Sequence, residues 1–282
     1  MPIKVNNVSY AYQVGTPYEK LALRDVVLTI NDNSVVGLFG ITSSGKTTLL
    51  QVMAGLIVPQ KGQVLVDDVK LIAKGKRRKF TNIGLVFQFP ETQFVLDRVY
   101  DEIAYGLTYQ NLDKFIIKER VEKSLGLVGL SFSTYKDRNI RTLSSGEKRR
   151  VAIATILALD TKYILLDEPT AGLDYLGRLD LERLIADLKA NDKTVVLVSH
   201  NLNYLLNICD EIYIIADGTI DSIITNKSSL MDLEALYMAN YILPAYLETV
   251  FKLRARGYDI SLNNKEAVLE GIAKVFRGDN YA

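Results

Sequence analysis

The sequence predicts an α/β protein in which parallel strands are covered by helices. Two apolar runs, residues 163–166 and 194–198, bracket a helical pattern over about 178–189, and that βαβ alternation calls for a parallel sheet buried on both faces. A third apolar run, Ser34-Val35-Val36-Gly37-Leu38-Phe39, leads through a Gly/Ser loop into a helix over about 46–54. At 282 residues the chain has room for one large domain and a small appendage.

Taken in order, the chain opens with β signals. Ile3, Val5 and Val8, then Leu23, Val26, Leu28 and Ile30, read as antiparallel strands around a Gly15-Thr16-Pro17 turn. Residues 83–87 read as a further strand. Helices dominate from about 97 to 160, with apolar spacing at Val99, Ile103 and Leu107 and at Val121, Leu125 and Leu127. The segment 214–220 places Asp217-Gly218 between apolar residues, a hairpin signal. Beyond about residue 226 the pattern turns helical, and 243–256 and 265–276 are amphipathic. A main domain over 1–226 and a small C-terminal helical domain over 227–282 are therefore expected. The basic run Lys74-Gly75-Lys76-Arg77-Arg78-Lys79 reads as a solvated loop, with lipid headgroup contact as the alternative.

Hydrophobic residues at 48% and charged residues at 24% are ordinary globular composition, which excludes a disordered chain. Lys and Arg total 34 against 33 Asp and Glu, so nothing in the balance suggests a nucleic-acid binder. Cys209 is the single cysteine, which rules out an intrachain disulfide and a multi-thiolate metal site. Among Leu206, Ile208 and Ile212 it reads as a small core residue. The first 14 residues alternate polar and apolar with no signal-peptide core. The uncharged run 47–60 holds Pro59 and falls short of the roughly 18 apolar residues of a membrane helix. Membrane association is expected only through a partner.

Gly40-Ile41-Thr42-Ser43-Ser44-Gly45-Lys46-Thr47 fits the pattern G-x-x-x-x-G-K-[ST], in the strand–loop–helix context that phosphate binding needs. Backbone N–H groups must curl around a phosphate, so Gly stands where a side chain would block approach. The helix that follows points its positive end at the anion. Lys46 supplies a mobile cation for the β- and γ-phosphates, and the Thr47 hydroxyl is a hard-oxygen ligand for Mg²⁺. ATP is expected on Gly40 through Thr48.

Tyr163-Ile164-Leu165-Leu166-Asp167-Glu168 is an apolar strand ending in two acids. Asp167 is delivered beside the phosphate loop, where it can hold the Mg²⁺ water shell, and Glu168 is placed to orient and deprotonate an attacking water. Leu143-Ser144-Ser145-Gly146-Glu147 opens a helix over about 148–159. It reads either as a second anion site or as an ordinary N-cap closed by Glu147 into a capping box. His200, the only histidine, follows the strand 194–199 at its carboxyl end, where open α/β sheets bind ligands.

The whole order resembles the ABC ATPases: the phosphate loop, Gln88, Leu143 to Glu147, Asp167-Glu168, Ala171-Gly172-Leu173-Asp174 and His200, over roughly residues 3 to 225. The resemblance implies a P-loop NTPase of ABC type. Its fold would be a mixed central sheet, an N-terminal antiparallel β subdomain and an inserted helical subdomain at about 89–160. It also implies that Tyr12 stacks on adenine and that Gln88 senses the γ-phosphate and the metal. His200 would contact the γ-phosphate, and Asp174 would lie in the D-loop. Ser144, Ser145, Gly146 and Glu147 would complete the ATP site of an opposing subunit. The family has Gly where Ser145 stands, a departure expected to bear on the partner's nucleotide by crowding the phosphate or restricting the backbone.

Within that class, Gln88-Phe89-Pro90-Glu91-Thr92-Gln93-Phe94, then Val99, Asp101-Glu102 and Ile103-Ala104-Tyr105-Gly106, resemble the energy-coupling factor transporter ATPases. So does Glu147-Lys148-Arg149-Arg150-Val151-Ala152-Ile153-Ala154. Such a resemblance implies an ATPase energising a prokaryotic importer of vitamins or transition-metal ions, peripheral at the cytoplasmic face of the cell membrane. Its partners would be a second ABC ATPase subunit, a transmembrane coupling protein (T component) and a substrate-binding membrane protein (S component). The competing expectation is a soluble ABC ATPase of iron–sulfur assembly or translation. Pro90 should force Phe89 out of the helical region and leave the segment after Gln88 extended, with Phe89 and Phe94 either lining a partner groove or packing as core.

Overall fold

The computed structural model describes residues 2–71, 82–225, 230–238, 241, 243–261 and 265–277. The basic run 74–79 lies outside them.

Strand β1 (Ile3–Tyr12) pairs antiparallel with β2 (Lys20–Ile30), with Val5 opposite Leu28 and Tyr12 opposite Lys20. The spacing of Ile3, Val5 and Val8 breaks strict alternation, and the pairing shifts register between Val5 and Val8 while Asn7 takes φ 49°. One extra residue there returns Val8 to the buried face. Strand β3 (Val35–Phe39) follows and runs into α1 (Lys46–Met53). Next, β4 (Lys61–Val66) pairs with β1, and β5 (Val69–Lys70) pairs with β4. These four strands form an antiparallel sheet in the order β2-β1-β4-β5.

Strand β6 (Ile83–Val86) precedes a helical stretch: α2 (Val99–Leu107), α3 (Lys114–Leu127), α4 (Phe132–Tyr135) and α5 (Ser145–Ala158). Phe89 is extended at φ −111° and ψ 89°, as Pro90 requires, but Pro90–Thr92 turns at once into a 3₁₀ segment. The expected extension is therefore confined to the one residue before proline, because Pro itself suits the first position of a helical turn. The two rings separate: Phe89 is 59% exposed, whereas Phe94 packs on the core.

Strand β7 (Tyr163–Asp167), α6 (Tyr175–Ala190) and β8 (Thr194–Ser199) complete the βαβ unit. After α7 (Leu202–Ile208), β9 (Glu211–Ala216) and β10 (Thr219–Thr225) form the hairpin. Its Asp217-Gly218 loop has positive φ at both residues, 47° and 77°, which suits the twist of the flanking strands. Among the described residues the central sheet has six strands in the order β10-β9-β3-β8-β7-β6, all parallel except β10, which runs antiparallel to β9. The sheet is mixed, as expected.

Alternating side chains divide the core into two layers. Val36, Leu38, Leu165, Val196 and Val198 face α1 and the antiparallel sheet, while Val35, Phe39, Ile164, Leu166 and Leu197 face the helices. Both faces are covered, so β3, β7 and β8 are buried along their whole length. A polar clasp ties the layers at the amino end of β7. Lys162 pairs with Asp32 at 2.8 Å and Asp67 at 2.9 Å, and the Tyr163 hydroxyl bonds the same two carboxylates.

The chain continues through α8 (Leu230–Met238), α9 (Ala245–Ala255) and α10 (Lys265–Arg277). Leu236, Leu247, Val250 and Phe251 join the helix-side core, and Tyr241 meets Phe39 with ring centroids 5.8 Å apart.

Candidate active site

Four neighbouring parallel strands end at one edge of the central sheet, and the predicted chemistry collects there. Gly40 to Gly45 follows β3, His200 follows β8, Asp167 ends β7 with Glu168 next, and Gln88 lies two residues beyond β6. This is the carboxyl edge, where open α/β sheets place ligands.

The phosphate loop is held by close backbone approach. A Cβ on Gly40 would lie 2.3 Å from the Ile215 carbonyl oxygen and 2.6 Å from Ser44 Oγ. At Gly45, with φ 107°, it would lie 2.5 Å from the Ala22 carbonyl oxygen. Neither position has room for a side chain. Ile41, Thr42 and Ser43 are exposed, Ser43 with φ 66°, while Ser44 is buried and its carbonyl accepts from Gly218 N–H at 3.1 Å.

Lys46, 8% exposed, donates to the carbonyls of Gly40 at 2.8 Å and Ile41 at 2.7 Å. Burial pulls its ammonium below the usual lysine range, against the opposing pull of Glu168 and Asp167. The Thr47 hydroxyl donates to Asp167 Oδ2 at 2.8 Å. Asp167 is 3% exposed, and its carboxyl is raised by burial and by Glu168, with Thr47 and Lys46 opposing. Its other oxygen, Oδ1, is buried without a hydrogen-bond partner.

Glu168 takes the left-handed backbone region at φ 48°, which is uncommon for a residue with a Cβ. Its N–H donates to Val198 O at 3.0 Å. One carboxylate oxygen, Oε1, lies 3.0 Å from His200 Nδ1, and the other, Oε2, is buried and unpartnered. Two orphaned acidic oxygens on successive residues are costly unless something cationic or protic meets them. The pair fits a hydrated divalent cation and a water.

Tyr12 ends β1 with its ring 38% exposed and its hydroxyl 3.1 Å from Thr48 Oγ1. Together with Lys20, Ala22, Ser43, Gly45, Lys46 and Thr47 it lines a cleft of about 230 Å³. Gln88 is half-buried.

At the head of α5 the capping-box reading of the signature is met. Ser144 is the N-cap: its Oγ accepts from Glu147 N–H at 3.3 Å, and Glu147 Oε2 accepts from Ser144 N–H at 2.8 Å, a reciprocal capping box. That backbone bond and the Tyr135 hydroxyl draw the Glu147 carboxyl down to about 2. Ser145 is exposed in the first turn of the helix with no positive φ, so its Cβ costs the backbone nothing. A Cβ on Gly146 would meet open space. Asp174 caps α6, accepting from Gly177 N–H at 2.7 Å.

Two residues at this edge escape a reading of the sequence. Lys20 reaches the cleft as the cross-strand partner of Tyr12, which needs the register of β1 and β2. Arg149 is 8% exposed and donates to the carbonyls of Glu168 and, at 2.9 Å, of Gln88. The available signal is a charge on the buried stripe of α5, shared with Ala152 and Ile153 at helical spacing.

A phosphate loop after β3, paired acids at the end of β7 and a histidine after β8, the strand between them, define a nucleotide-hydrolysing P-loop protein. The profile of the family described as ABC transporter matches residues 23–171. The energy-coupling factor transporter ATP-binding protein EcfA2 of Clostridium acetobutylicum is 38% identical over 272 residues, 93% of this chain and 92% of that one. Among solved structures, the dimeric ATP-binding cassette MJ0796 in a post-hydrolysis state with ADP and Pi has TM-score 0.73 and 26% identity, covering 80% of this chain and 99% of that one. Clostridium perfringens cbiO1, part of the ABC transporter complex cbiONQ, has TM-score 0.71 and 29% identity, covering 88% and 97%. The chain belongs to the ABC transporter family, in its branch of energy-coupling factor transporter ATP-binding proteins. It binds ATP and hydrolyses it.

Proposed function

We propose that this chain powers a membrane importer by cutting ATP at the carboxyl edge of its central sheet, with Glu168 as base. The observation that carries the reading is the pair of buried, unpartnered oxygens, Asp167 Oδ1 and Glu168 Oε2, beside the Thr47–Asp167 bond. The triphosphate lies along Gly40 to Thr48 with adenine against Tyr12. Lys46 turns from the Gly40 and Ile41 carbonyls to the β- and γ-phosphates. Thr47, Gln88 and Asp167 would hold Mg²⁺, which would supply charge neutralisation for the phosphates. Glu168 Oε2 takes the proton of the attacking water, while His200 steadies Oε1 and meets the γ-phosphate. EDTA should abolish turnover and excess Mg²⁺ restore it; hydrolysis that continues in EDTA would remove the metal from the account.

Two subunits are proposed to close head to tail, each offering Ser144, Ser145, Gly146, Glu147 and Asp174 to the other's nucleotide. Closure drives a transmembrane T component joined to a substrate-binding S component, with the ATPase peripheral at the cytoplasmic face of a prokaryotic membrane. Vitamins or transition-metal ions are the proposed cargo. The transporter names of the relatives favour this assembly over a soluble, non-transport ATPase. Purification in detergent should recover membrane proteins with the chain, and a ribosome or a soluble scaffold in their place would support the rival. Because Ser145 sits in an unstrained helical turn, Ser145→Gly should not lower ATPase activity of the assembled complex. A clear loss would mean that the hydroxyl is required.

A further inference from the structure

We propose that Arg149 is a positioning residue for hydrolysis, setting the Glu168 carboxylate by holding its backbone carbonyl and tying it to the Gln88 loop and to α5. The inference rests on the reading of Glu168 as base. Its ground is the pair of bonds that one guanidinium makes: Nη1 to Glu168 O and Nη2 to Gln88 O at 2.9 Å. Those carbonyls follow β7 and β6, which are neighbours in the sheet.

The Glu168 backbone needs such a hold. At φ 48° it occupies a region that persists only where surroundings over-determine it. Val198 O receives its N–H at 3.0 Å, and its carbonyl accepts from Ala171 N–H at 3.1 Å as well as from Arg149. The side chain then points one oxygen at His200 and leaves the other free for water.

Burying a guanidinium with carbonyls alone as direct partners is an expensive way to fill space. The charges facing it are the carboxylates of Glu91 and Glu168. A planar fork can bond two acceptors at once, and lysine cannot reproduce that. Arg149 also stands about 7 Å along α5 from the Ser144 cap. Movement of the helix that carries the signature is thereby passed to the carbonyl of the base.

The test is steady-state ATPase on the complex purified from membranes, with thermal midpoint and binding of a fluorescent ATP analogue. Arg149→Met should lower kcat by roughly 30- to 100-fold, the effect of a misplacement of about 1 Å, with KM and analogue affinity within about twofold. Arg149→Lys should recover part of kcat, since one amine reaches one carbonyl; if the methionine variant does not fold, the lysine variant carries the test with a smaller loss. Glu168→Gln is measured in parallel. Normal kcat in Arg149→Met beside a dead Glu168→Gln overturns the role of Arg149 and leaves the base standing. A fall in thermal midpoint with kcat and affinity lost together also overturns it, as a structural residue. Full activity of Glu168→Gln instead removes the base itself.

Discussion

Glu168→Gln should bind ATP as well as the parent and turn it over at least about 100-fold more slowly, the usual worth of a positioned base. The amide keeps a partner for His200 Nδ1, now 3.0 Å from Oε1, so the geometry of the edge survives. What is lost is the oxygen that accepts a proton, the buried and unpartnered Oε2. Replacing a buried carboxylate whose Oε2 has no hydrogen-bond partner with a neutral amide should leave thermal stability close to the parent's. With ATP the variant should accumulate as a closed dimer on size exclusion. Parental turnover would remove Glu168 from the chemistry.

Gly40→Ala should damage both the fold and the phosphate loop. Its Cβ would sit 2.3 Å from the Ile215 carbonyl oxygen, and that carbonyl belongs to β9, which pairs with β3 on one side and β10 on the other. The Ile215 contact is with backbone, so no side-chain rotation relieves it. A cost of about 3 kcal/mol is expected, with a fall in melting temperature of roughly 6–12 °C and loss of nucleotide binding. Gly146→Ala is the control, because its Cβ meets open space in the first turn of α5. That variant should fold with unchanged or slightly raised stability, since alanine is the better helix former. If Gly40→Ala keeps its melting temperature and its affinity for ATP, the loop does not depend on close backbone packing.

The contrast between these glycines marks what a sequence can and cannot disclose. The phosphate loop, the two acids and the Asp217-Gly218 turn are legible because each needs particular residue types within a few positions. The strands β3, β7 and β8 are legible because burial on both faces leaves an unbroken apolar run. Arg149 is hidden in a basic triplet, and its two carbonyl partners lie 19 and 61 residues away. Lys20 needs strand register, and the separation of Phe89 from Phe94 needs the turn at Pro90. The signature pentapeptide stays two-sided for a different reason. A capping box and an anion site draw on the same N–H groups, so the residue types satisfy both.

The loop's outer support comes from far along the chain: Ile215 O stands against Gly40, and Gly218 N–H bonds Ser44 O at 3.1 Å. The whole loop, 40–48, is synthesised before residue 50, yet the wall behind it emerges only with the β9–β10 hairpin. On the ribosome the growing polypeptide passes on the order of ten seconds before the hairpin follows the loop. A half-made subunit therefore lacks both the Ile215 wall and the Gly218 bond that hold the loop from behind.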